Sequence, residues 1–97
     1  MLTFEKVLEK FADYLKEDTR YEMLMTTHGY TLVEWDSIQK DWAGIQLCAS
    51  PEEMRDVLLD ALSGYLEFQA THGSRELTPS DKKDIQMRLR TISDALK

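Results

Sequence analysis

Between residues 21 and 49 the chain carries three short runs rich in aromatic, β-branched and Met residues, parted by turn-sized intervals, and an antiparallel meander is the arrangement that accommodates them. Residues 21–27 and 30–36 are split only by His28-Gly29, the spacing of a two-residue hairpin loop. Gly takes a positive φ at no steric cost, and His tolerates one better than most residues. Ser37-Ile38-Gln39-Lys40 supplies a second turn, and residues 42–49 read as the third strand.

Pairing Thr27 with Tyr30 and Asp36 with Asp41 sorts these strands onto two faces. One face carries Tyr21, Met23, Met25, Tyr30, Leu32, Ile45 and Leu47, and is predicted to be the core face. The other carries Leu24, Val33, Trp35, Trp42 and Cys48 among Glu22, Thr26, Thr31, Gly44 and Gln46. Trp35 and Trp42 are cross-strand neighbours in this register. An apolar patch anchored by two indoles is either covered or used for binding. Large aromatics on a sheet are most often packing residues, so cover by the last helix or by a second copy of the chain is the ordinary alternative.

The flanking segments read as helices. Thr3 can cap a helix over about 3–18, with Phe4, Val7, Leu8, Phe11 and Leu15 on one apolar stripe. Ser50-Pro51-Glu52-Glu53 combines a cap, a first-turn Pro and a capping-box Glu, and opens a helix over about 51–72. Its stripe is Met54, Val57, Leu58, Ala61, Leu62, Tyr65, Leu66 and Gln69. Leu59 and Phe68 fall off that stripe and ask for a second contact, and Gly73 is the expected left-handed cap residue. Thr78-Pro79-Ser80-Asp81 starts a last helix over about 79–96. Its thin stripe, Ile85, Leu89, Ile92 and Leu96, suits it to lying on a finished surface: the Leu59/Phe68 side of the second helix, or the tryptophan face of the sheet. The fold class is therefore α+β, of order α-β-β-β-α-α, in one domain over residues 1–97.

Composition narrows the functional classes. The net charge of -6 argues against whole-molecule attraction to nucleic acid or anionic membrane. The charge is uneven: residues 1–72 hold six basic against fourteen acidic side chains, whereas residues 73–97 hold six against four. No apolar run approaches the roughly 20 residues that span a bilayer. The single Cys48 forbids an intramolecular disulfide, and with no signal peptide the expected setting is a reducing cytoplasm.

No catalytic, cofactor or metal constellation stands out. The acids lie on helix surfaces, Glu22 and Glu34 fall on opposite faces of the hairpin, and nothing is spaced to activate Cys48, so the expectation is that the chain is not an enzyme and uses no cofactor. His28 and His72 sit in two turns that share Thr-His-Gly, too few ligands for zinc. The order helix, three strands, helix is also that of double-stranded RNA-binding domains. Those domains grip phosphate with lysines at the start of the second helix, whereas Pro51-Glu52-Glu53-Met54-Arg55-Asp56 would repel it. A nucleic-acid reading would instead rest on Lys82, Lys83, Arg88 and Arg90. A third reading, an acidic decoy for a nucleic-acid-binding protein, lacks carboxylates spaced like phosphates.

The run Met1-Leu-Thr-Phe-Glu-Lys-Val-Leu-Glu, with Asp13-Tyr14-Leu15, Gly29-Tyr30-Thr31, Trp35 to Trp42, Pro51-Glu52 and Arg55-Asp56, resembles a group of short uncharacterised proteins of gut Firmicutes, often carried on mobile elements. The resemblance spans most of the chain and implies a cytoplasmic bacterial accessory protein, without naming an activity or site. The expectation from the residues is a protein that binds another protein or pairs with itself as a homodimer. The contact surface would be Trp35, Trp42, Val33 and Leu24.

Overall fold

The computed structural model describes residues 1–97. Helix α1 (Phe4–Glu17) is followed by strands β1 (Tyr21–Thr26), β2 (Gly29–Asp36) and β3 (Asp41–Cys48), then by helices α2 (Pro51–Thr71) and α3 (Pro79–Ala95). The sheet is antiparallel, in the order β1-β2-β3. The class is α+β, in the predicted order of elements.

Local chemistry sets each boundary. The Thr3 hydroxyl accepts from the Lys6 N–H at 3.2 Å to start α1. Ser50 accepts from the Glu53 N–H at 3.1 Å, while the Glu53 carboxylate reaches back to the Ala49 N–H at 2.9 Å, one residue earlier than a standard capping box. α2 ends in a left-handed turn shared by His72 (φ 52°) and Gly73 (φ +72°), so the histidine, not the glycine alone, takes the cap conformation. At α3 the capping box is complete, between Thr78 and Asp81. Arg75 ties the intervening linker down, donating to the Asp81 carboxylate and the Ala70 carbonyl, each at 2.7 Å.

The first hairpin differs from expectation by two residues of register. Thr26 pairs with Gly29, so Thr27-His28 forms the loop, neither residue at positive φ, and Gly29 absorbs the twist at φ +121°. The Thr26 hydroxyl explains the shift: it accepts from the His28 N–H and donates to the Gly29 carbonyl, closing the turn earlier. A slip of two preserves side-chain parity, so Tyr21, Met23, Met25, Tyr30 and Leu32 keep the predicted inner face.

The second ladder contains the larger correction. Asp36 pairs with Asp41 and Trp35 with Trp42 as expected, but Glu34 then pairs with Gly44, leaving Ala43 as an extra residue on β3. This bulge reverses the sidedness of everything after it. Cys48 turns inward and is buried, together with the inward Gln46 position, while Ile45 and Leu47 turn outward. The predicted core positions Ile45 and Leu47 are thus outer-face residues, and Cys48 belongs to the core.

The core lies between the inner face and α1 and α2. It joins Val7, Phe11 and Tyr14 to Leu32 and Cys48, and to Met54, Leu58, Leu62 and Leu66. α3 adds Ile85 and Leu96 by packing on α2, with Leu59 and Leu89 beside them, so the last helix takes the first of its two predicted landing places in part. It leaves Phe68 half exposed, edge-on to His72. The result is a slab of 42 × 38 × 18 Å, with a radius of gyration of 14.1 Å against about 12.5 Å for a compact domain of this length. No helix is long and apolar enough to cross a membrane.

Candidate functional site on the outer sheet face

The bulge concentrates apolar side chains on the uncovered side of the sheet. Leu24 from β1, Trp35 from β2, and Trp42, Ile45 and Leu47 from β3 share that face, and none of them belongs to the core cluster. Ile45 is 74% exposed and the two indoles 38% each. Val33 and Thr31, on the central strand, are buried, so Val33 supplies the floor of the patch and little of its surface.

Trp35 and Trp42 form its centre. They meet as a non-slipped pair just before the bulge, edge to face, with ring centroids 5.0 Å apart and planes at 73°. This geometry sets the positive ring edge of one indole against the negative face of the other, and it fixes both rings. The adjoining turn is rigid, because Asp36 Oδ1 accepts from the Ile38 and Gln39 N–H groups at 2.9 and 3.0 Å. Glu22 of β1 shares this face, whereas Asp36 and Asp41, the next pair along the ladder, fall on the other.

The basic residues of α3 do not converge. At 100° per residue, Lys82 and Arg88 fall on opposite flanks of the stripe that packs on α2, about 120° apart, while Lys83 and Arg90 share the side away from α2. Asp84 and Asp94 are interleaved, and Lys97 is paired with Asp94 at 3.1 Å.

Sequence reasoning missed the most highly organised polar group in the molecule. Asp18, just after α1, is 2% exposed. It accepts from the Tyr14 hydroxyl at 2.8 Å, from Arg20 Nε and Nη2 at 3.0 and 3.1 Å, and from the Arg20 N–H at 3.2 Å. Burial by itself would raise its pKa, but the bonds from Arg20 and Tyr14 outweigh it and hold the carboxyl below its ordinary range. Burial, and then the bond to Asp18, pushes Tyr14 well above the ordinary phenol value. The only sequence signal was Asp-x-Arg at a helix end. Both carboxylate oxygens are taken up by Tyr14 and Arg20, so the arrangement joins α1 to β1 and does not present a reactive group.

The remaining chemistry is sparse. Burial, and then Glu53, raises the Cys48 thiol, which disfavours the thiolate a nucleophile needs. A cleft of about 240 Å³ between the inner face and α2 is lined by Tyr21, Leu32, Glu34, Gln46 and Asp60 among others, and is open to solvent. No three His, Cys, Asp or Glu side chains converge as a metal site. Searches of family models, curated proteins and solved structures find no match to this chain.

Proposed function

We propose that the chain works by binding another protein through the outer face of its sheet, with Trp35 and Trp42 as the anchors. The observation that carries this reading is the exposure of five large apolar side chains on one face, around a fixed indole pair. Contiguous apolar surface costs solubility and is favoured where a partner removes it from water, and Trp is the residue most enriched among energetic anchors of interfaces. The setting is the bacterial cytoplasm that the sequence resemblance implies.

The double variant Trp35→Ser/Trp42→Ser tests the reading. Both side chains stand outside the core cluster, so far-ultraviolet circular dichroism and the thermal midpoint should stay close to the parent's. Affinity for the partner should fall at least about a hundredfold, as the loss of two anchors implies. A double variant that still captures the partner at the parent's affinity would refute the outer-face assignment, and one that unfolds would show that the indoles support the sheet itself.

A further inference from the structure

The two edges of the sheet are built differently. Edge strand β3 is interrupted at Ala43, the kind of bulge that blunts pairing, whereas β1 is regular over Tyr21–Thr26 with no Pro, no Lys and no bulge. The pairing of Thr26 with Gly29 across a two-residue loop makes that pair exchange both its hydrogen bonds. Even-numbered residues of β1 therefore bond to β2, as the Trp35 N–H does to the Arg20 carbonyl at 2.6 Å one step beyond the strand. The N–H and C=O groups of Met23 and Met25 and the C=O of Tyr21 point outward with no strand to receive them, while the Tyr21 N–H turns back to the Asp18 carbonyl at 3.3 Å.

Side chains along the same edge are also incomplete. Leu8, Ala12 and Leu15 of α1 form an open apolar groove with Tyr21 and Met23. Met25 lies on the inner face and is nevertheless 76% exposed. The groove shows that α1 leaves β1 as an uncovered rim, and Phe4 rests against Tyr30 of β2 with ring centroids 5.0 Å apart, which places the helix inboard of the edge.

We infer that a second copy of this chain occupies this edge, β1 antiparallel to β1 about a twofold axis through Met23, giving a six-stranded sheet. That register engages outward groups of Tyr21, Met23 and Met25 together, setting Tyr21 against the partner's Met25 and forming four backbone hydrogen bonds, from the Met23 and Met25 N–H groups of each copy to the Met23 and Tyr21 carbonyls of the other. It also sets Glu22 against the partner's Leu24, whereas a shift of the axis to residue 22 would oppose two glutamates. The partner's Met25 then enters the groove at Tyr21 and Leu15, and each copy's exposed Met25 is covered.

The helices agree with this placement. With α1 above the gap between β1 and β2, the two α1 axes stand about two strand spacings apart, roughly 9.6 Å, within the usual range for packed helices. They run antiparallel, so Lys16 of each faces the Glu5/Glu9 end of the other. A contact about 20 Å long, from six strand residues, and 18 Å deep covers roughly 1,000 Å² in total once corrugation is included, the lower end of a specific interface. The dimer should therefore form in the micromolar range and dissociate on dilution.

The test is independent of the outer-face reading. Sedimentation between about 1 and about 100 µM should move the molar mass from 11.3 kDa toward twice that value. Over the same range, amide exchange at Met23 and Met25 should slow. Met25→Lys, at an exposed site, should weaken association at least about tenfold with the helical signal unchanged, while Trp35→Ser/Trp42→Ser should leave it intact. A monomer throughout, equal exchange of the two amides at both concentrations, or a dimer lost in the tryptophan variant and kept in Met25→Lys would each overturn the inference.

Discussion

At the residue scale the fold is most sensitive at Asp18, the one acidic side chain taken out of water. Replacing it with Asn keeps the shape and removes the charge that Arg20 and Tyr14 address, so Asp18→Asn should cost about 1.5–3 kcal/mol at neutral pH, read by denaturant titration. The pH dependence follows from two shifts of opposite sense. Because the folded Asp18 pKa is depressed, its stabilisation is present above the unfolded value near 4 and is lost as pH falls through the folded value. Because Tyr14 is raised, its contribution holds below the unfolded value near 10 and is lost as pH climbs beyond it. Thermal midpoints should therefore show a plateau between about pH 4 and about pH 10, with the acid limb flattened in Asp18→Asn and the alkaline limb in Tyr14→Phe. None of this was legible in the sequence, where Tyr14 falls outside the apolar stripe of α1 and Asp18 counts as one acid among fourteen. Distance along the chain does not reveal that a helix end will be closed over by Arg20.

At the scale of elements, the caps were legible because they are local. Thr3, Ser50-Pro51 and Thr78-Pro79 announce their helices by side-chain chemistry within four residues, and Thr78→Ala should cost about 1 kcal/mol through the lost cap. The bulge was not legible, since it depends on how β3 meets its neighbour, and nothing in Trp42-Ala43-Gly44 distinguishes a regular ladder from one with a residue to spare. Its effect is large because parity is inherited by every later position. Deleting Ala43 should give a regular ladder in which Gly44 to Cys48 keep their β2 partners, so Cys48 stays on the inner face. The thiol, slow to react with an aromatic disulfide reagent in the parent, should stay slow in the deletion variant, and rapid labelling would show that the register had slipped instead. Correct element order together with wrong sidedness for Ile45, Leu47 and Cys48 is the expected outcome when propensity fixes the strands and tertiary pairing fixes their faces.

For the whole molecule, thickness matters most. Only 14 of the 97 residues are buried, and the layer they form is bounded on one side by a bare sheet. α2 is the one helix with neighbours on several sides, α1 on one, α3 on another and β3 beneath. Its amides around Leu58 and Leu62 should exchange most slowly, and those of α3, held by a single stripe, should exchange sooner. The asymmetry of the sheet edges bears on how large an assembly can become. A sheet with two regular edges recruits copies at both, and such a chain of copies has no natural length. Here residue 43 interrupts one edge, so growth that begins at β1 runs out after a single partner. Concentrated protein should stay a clear solution of discrete particles, and loss of that one alanine is the change expected to let it polymerise into fibres.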